Sequence, residues 1–160
     1  MESTITSFNF HLSEKTKEFI ITGICWLCMA LFLYTAYAKI TDHDRFLKGL
    51  TRVHLISGFA VLVSYAVPTI EFIVALLLLI PQTAKTGLYS FIAVMASFTI
   101  YIVSAIIWEK KLPCHCGGAI EKLSWGQHIW FNLAFITIAI VALRLSQLNY
   151  KSKNLRNEKF

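Results

Sequence analysis

Residues 57–80 read SGFAVLVSYAVPTIEFIVALLLLI, an apolar run interrupted by one charge, Glu71, and one proline, Pro68. A helix of about 20 residues, rising roughly 1.5 Å per residue, crosses a hydrocarbon layer about 30 Å thick. A surface helix of a soluble protein would carry a polar face over this length, and this run has none. The pattern repeats along the chain: Phe19–Ala38, Gly87–Trp108 and His128–Leu143 contain no Asp, Glu, Lys or Arg. The whole chain has 160 residues, 56% hydrophobic and only 15% charged, against about 25% charged in an average soluble domain. The expected fold is therefore all-α: an integral membrane bundle of four transmembrane helices at about 19–38, 57–80, 87–108 and 127–145. They form one membrane domain, 19–145, between a polar leader, 1–18, and a basic flexible tail, 146–160. With so little chain outside the bilayer, no separate soluble catalytic domain is expected. The net charge of +6 sits in short loops and the tail, which fits lipid headgroups and gives no nucleic-acid surface.

In the leader, Glu14, Lys15, Lys17 and Glu18 adjoin the first run. Ala36-Tyr37-Ala38 has the small-x-small form of a signal cleavage site. The run is long for a signal peptide and acidic residues interrupt its basic flank, so the first helix is expected to be retained. Cys25 and Cys28 share one face of it at i, i+3 spacing, and inside an apolar span they read as small hydrophobes, with an electron relay as the alternative. Lys39 to Arg45 reads as a polar turn. Phe46, Leu47, Leu50 and Val53 then recur at helical spacing, predicting a short interfacial amphipathic helix between the first two spans.

Pro68 removes a backbone donor and frees the Ser64 carbonyl, predicting a kink or break in the second span. Glu71 follows. A carboxyl group at this depth is expected to be neutral, paired or cavity-facing. It can donate to carbonyls loosened by Pro68, relay protons, or pair with Arg144, the charged residue inside the other spans. Ser97, Thr99, Tyr101 and Ser104 are the polar spots of the third span, Asn132 can hydrogen-bond across helices, and Trp125 and Trp130 suit an interfacial belt.

The third loop holds Pro113-Cys114-His115-Cys116-Gly117-Gly118. Cysteines at i and i+2 need a tight turn to close a disulfide, and the flanking proline and glycines supply turn chemistry. A ring so small is expected to be strained and exchangeable. His115, with Lys110 and Lys111 upstream, would favour thiolate. Two other readings stay open: a loop with idle thiols, and a metal site drawing ligands from Cys114, Cys116, His115, His43, His54 and His128. Four spans put both termini on one side and the first and third loops on the other. Lysines and arginines divide almost evenly between the sides, so charge does not orient the chain. An exchangeable disulfide belongs in an oxidising compartment, which places the termini in the cytoplasm and the Cys-His-Cys loop in the periplasm.

The order of these features resembles the MauE branch of the DoxX-like membrane proteins, known from methylamine utilisation. The likeness rests on Ala38-Lys39 with Asp44 and Phe46 soon after, Val67-Pro68-Thr69-Ile70-Glu71, Tyr101, Pro113 to Gly118, then Trp125 and Asn132. It covers most of the chain apart from the two tails. Gly117 stands where family members often carry an aromatic residue, so the partner surface of the loop is expected to differ. The resemblance implies a four-helix protein of the bacterial inner membrane associated with redox chemistry and with disulfide formation in, or export of, a partner protein.

Together these readings predict a thiol-disulfide membrane protein. Cys114 and Cys116 exchange with an exported, membrane or thioredoxin-like partner, His115 tunes the thiolate and Glu71 handles protons. No cofactor is fixed by the sequence; a membrane quinone near Tyr101, Trp125 and Trp130 is the candidate electron acceptor. The rival readings are a non-enzymatic accessory subunit of a membrane or export complex, and a metal-handling membrane protein.

Overall fold

A computed structural model describes residues 13–53, 56–108 and 124–157. Five α-helices account for nearly all of them: α1 (Glu14–Thr41), α2 (His43–Thr51), α3 (Ala60–Leu79), α4 (Ala84–Trp108) and α5 (Trp125–Asn157). A single 3₁₀ turn, Ser57–Phe59, leads into α3. Four segments are long and apolar enough to cross a membrane: Glu14–Thr41, Ser57–Leu79, Ala84–Ile107 and Gly126–Gln147. They pack in the order α1, α3, α4, α5, with α5 returning to α1, and α2 lies against α3.

The connections follow from local chemistry. Only Asp42 separates α1 from α2: its N–H donates to the Ala38 carbonyl at 3.1 Å, and its own carbonyl accepts from Phe46 N–H at 3.1 Å. The polar turn expected from Lys39 to Arg45 is thus helix on both sides of one residue. α1 gains Lys39 and Thr41 at its end because their polar groups have places to go. Thr41 Oγ1 donates to the Tyr37 carbonyl and Lys39 reaches into the bundle. α3 runs from Ala60 to Leu79 through Pro68 without a break. It stops at Ile80, whose extended backbone (ψ 118°) is what a residue before Pro81 prefers.

Between α3 and α4, the Thr83 hydroxyl lies 2.8 Å from the Leu77 carbonyl and closes an end that would otherwise leave acceptors unpaired. Gly87, one turn into α4, sits so close to α3 that an added Cβ would lie 3.0 Å from backbone atoms of Leu77 and Leu78. α5 opens with a reciprocal cap. Gln127 Oε1 accepts from Ser124 N–H at 2.7 Å while Ser124 Oγ accepts from Gln127 N–H at 3.3 Å, the arrangement that a serine followed three residues later by a glutamine allows. α5 extends to Asn157, so the first residues expected in the basic tail are its last turns.

The main core is built from α1, α3, α4 and α5: Cys25, Cys28, Phe32, Val74, Leu78, Leu88, Phe91 and Met95 meet small Ala75, Ala139 and Ala142. Alanines let helices approach closely, which matters where lipid offers no hydrophobic contrast. Phe32 and Phe91 stack with ring centroids 4.5 Å apart. A second cluster holds α2 to the bundle, with Phe46 and Leu50 against Ala60, joined by Val63, Val67 and Tyr101. The outer surface is apolar as well: Phe19, Trp26, Leu62, Ile100 and Ile107 are all exposed. Apolar residues inside and outside together fit lipid rather than water as the surrounding medium.

Candidate functional site

Glu71 is fully buried. It lies 12 positions into α3, where the register with α1 brings it opposite Thr35 and Lys39. The two helices run antiparallel, as Thr35 and Lys39 meeting Glu71 while His43, farther along, meets Ser64 makes plain. Lys39 Nζ donates to Glu71 Oε1 at 2.7 Å, and Thr35 Oγ1 is 3.1 Å from the same oxygen. Glu71 Oε2 has no hydrogen-bond partner among the described residues. The ammonium is itself enclosed, with 11% of the Lys39 side chain accessible. Phe98 of α4 lies 5.3 Å and Phe46 of α2 lies 5.9 Å from ring centroid to Nζ. Four helices therefore converge on one buried ion pair.

This arrangement changes the expectations for Glu71. It pairs with Lys39 and not with Arg144, which is exposed on α5. It also does not lean on carbonyls loosened by Pro68, since Thr35 and Lys39 supply its contacts. Sequence reading assigned Lys39 to a turn and missed it. The available signal was the unpaired charge of Glu71, because a cation at the end of the preceding, antiparallel helix is the nearest group able to answer it.

One step toward the α2 end, His43 Nε2 lies 3.1 Å from Ser64 Oγ, and its ring stacks on Tyr65 at 4.6 Å. The Ser64 hydroxyl donates to the Val61 carbonyl at 2.7 Å. With its one proton used there, Ser64 accepts from His43, so Nε2 carries the hydrogen. A histidine held in this way is a side-chain clasp between α2 and α3. His128, in the first turn of α5, is half-buried. No group of three His, Cys, Asp or Glu able to hold a metal occurs among the described residues.

Cys114, His115, Cys116 and His54 lie outside the described residues. The loop that carries the two cysteines leaves α4 at Trp108 and enters α5 near Ser124. Cys25 and Cys28 are free thiols in the apolar core, beside Leu88 and Phe91 at the opposite end of α4. From Phe91 to Trp108 is about 25 Å of helix at roughly 1.5 Å per residue. Their core packing answers the small-hydrophobe expectation. Of the aromatic group considered for a quinone, Tyr101 packs inward with the α2 cluster and Trp130 is exposed. Asn132 Nδ2 donates across to Thr99 Oγ1 at 3.2 Å, tying α5 to α4.

Residues 17–145 match a family model described as Methylamine utilisation protein MauE. No curated protein and no solved structure matches the chain.

Proposed function

From the premise that the chain belongs to the MauE family and is a multi-pass membrane protein, we propose that it supports thiol-disulfide chemistry. The Cys114 and Cys116 pair forms and transfers a disulfide to an exported or membrane partner. The observation that carries the reading is the Pro113-Cys114-His115-Cys116-Gly117-Gly118 sequence in the one connection between α4 and α5. Exchange needs an accessible thiolate that attacks a partner disulfide, or an accessible disulfide open to a partner thiolate, through a mixed disulfide. His115 and the nearby lysines favour the thiolate form.

The burial of Cys25 and Cys28 at the other end of α4 supports a loop pair that works without them. Oxidation of the two loop thiols releases two electrons and two protons, and a lipid-soluble acceptor of the quinone class would take the electrons. The orientation that suits this chemistry has both termini in the cytoplasm of a bacterium and the loop in the periplasm.

The test is the redox state of the loop cysteines in intact cells, trapped with a membrane-impermeant thiol reagent before and after mild reduction. Labelling of Cys114 and Cys116 only after reduction, with a potential above roughly −200 mV, supports an exchangeable disulfide. Failure to label from outside under both conditions overturns the reading in favour of an accessory subunit or a metal-handling protein. A Cys114→Ser, Cys116→Ser chain that keeps full function overturns it as well.

A further inference from the structure

We propose that Glu71 is a reversible proton site, built so that its Oε2 gains and loses a proton while the hydrogen bonds to its Oε1 stay in place. Among the described residues both donors that reach Glu71, Lys39 Nζ and Thr35 Oγ1, use Oε1, and Oε2 is buried without a partner. A carboxylate kept permanently charged in a buried ion pair compensates for its lost hydration only when its remaining lone pairs are also satisfied. Here they are not. An unpartnered neutral hydroxyl is far cheaper to bury than an unpartnered half of a carboxylate. When a proton adds to Oε2, Oε1 becomes the carbonyl oxygen of a carboxylic acid and still accepts from Lys39 and Thr35. No existing hydrogen bond has to break.

The surroundings of Lys39 make the other half of the site. Neutralising Glu71 leaves a site of net charge +1, which would be costly next to lipid if the ammonium had no other support. Phe98 and Phe46 provide it, because aromatic faces attract a cation most strongly where water is excluded. The carboxyl group is the one that exchanges.

The groups that face Glu71 are Lys39 and Thr35 from α1, with Phe46 of α2 and Phe98 of α4 across the ammonium. His43 of α2 is engaged with Ser64, two turns before Glu71 on α3, and with Tyr65. α5 contributes no described hydrogen bond to the pair. The step itself balances simply: one proton from water converts –COO⁻ to –COOH, and the reverse returns it.

The site deepens the proton-handling role that the thiol-disulfide reading gives Glu71, and it stands whether or not the loop cysteines exchange. Full-length chain in lipid vesicles, with carboxyl-labelled glutamate, is titrated from alkaline to acidic pH and followed by infrared difference spectroscopy. The expected result is an isotope-shifted protonated-carboxyl band that rises and falls reversibly, is missing in Glu71→Gln, and persists in Cys114→Ser, Cys116→Ser chain. A band that never appears marks a fixed ion pair and overturns the proposal. A band of constant intensity marks a fixed neutral acid and also overturns it. Should Glu71→Gln fail to fold, Glu71→Asp keeps the carboxyl group and must remove the labelled-glutamate band while leaving a reversible aspartate band; retention of the glutamate band there assigns it elsewhere and overturns the proposal.

Discussion

Lys39 Nζ and Glu71 Oε1 lie 2.7 Å apart, joining the last turn of α1 to the middle of α3. Glu71 is fully enclosed, and only 11% of the Lys39 side chain is accessible. Removing one charge leaves the other buried without its partner, at a cost of up to about 3–5 kcal/mol, reduced to the extent that Glu71 takes up a proton or the rings of Phe46 and Phe98 hold the ammonium. Lys39→Met and Glu71→Met are each expected to lower stability by up to that amount. The double substitution is expected to cost less than the two together, with a coupling of about 1–3 kcal/mol. Denaturant unfolding of the four chains in the same lipid checks this, and additive losses would show that the pair is not coupled.

Thr35 also reaches Glu71, but its one hydroxyl proton is shared between Glu71 Oε1 at 3.1 Å and the Phe32 carbonyl at 3.2 Å. A hydrogen bond to a charged group contributes about 1.5–3 kcal/mol. Thr35→Val keeps the shape and loses the donor, so its effect on stability is expected to be smaller than that of Lys39→Met. An equal effect would place the contribution in the packing of α1 on α3 and not in the charge pair.

The four spans were legible in the sequence because each is a long apolar run, and the bundle follows wherever such runs must pair in lipid. Asn132 was legible too, since a lone amide in a span needs a partner and found Thr99. Lys39 was not. Its neighbours Thr41, Asp42, His43, Asp44 and Arg45 are all polar, so local composition reads as a turn. What keeps α1 helical to Thr41 is a tertiary bond to a residue 32 positions away, and local composition carries no record of it. The same holds for His43, which reads in the sequence as part of the polar turn and as a candidate metal ligand, and is clasped to Ser64.

That clasp makes a prediction about hydrogen placement. Ser64 gives its proton to Val61 and must accept from His43, so the neutral ring should be protonated at Nε2 and bare at Nδ1. Nitrogen NMR of ring-labelled histidine distinguishes the two tautomers. His43→Ala should cost about 1 kcal/mol for the hydrogen bond, with a further loss from the ring contact on Tyr65. Finding the hydrogen on Nδ1 would rule out the donor role given to His43.

Gly87 sets the approach of α4 to α3. A methyl group there would meet Leu78 Cδ2, which can move, but also the Leu77 carbonyl carbon and the Leu78 nitrogen, each at 3.0 Å, which cannot move without shifting the helix. Gly87→Ala is expected to lower stability by about 1–3 kcal/mol through overpacking. Gly23, with open space around its Cα, is the control: Gly23→Ala should be neutral or stabilising, since alanine is the better helix former. Unfolding of both variants under one condition checks the contrast.

The four cysteines should separate into two chemical classes. Cys28 is fully buried and Cys25 nearly so, in a core of Phe32, Val74, Ala75 and Leu78. A reagent that crosses membranes should leave both unmodified until the bundle is unfolded, because reaction needs an exposed thiolate. Cys28→Ser places a hydroxyl among apolar side chains and is expected to cost about 1–3 kcal/mol, whereas Cys28→Ala leaves only a small cavity and should cost less. Replacing both with alanine should leave the labelling pattern of Cys114 and Cys116 unchanged. If the double substitution altered the loop redox state without altering stability, the helix thiols would be in electronic communication with the loop despite the helix between them. Mass spectrometry of trapped peptides, with unfolding measured on the same preparations, decides between these outcomes.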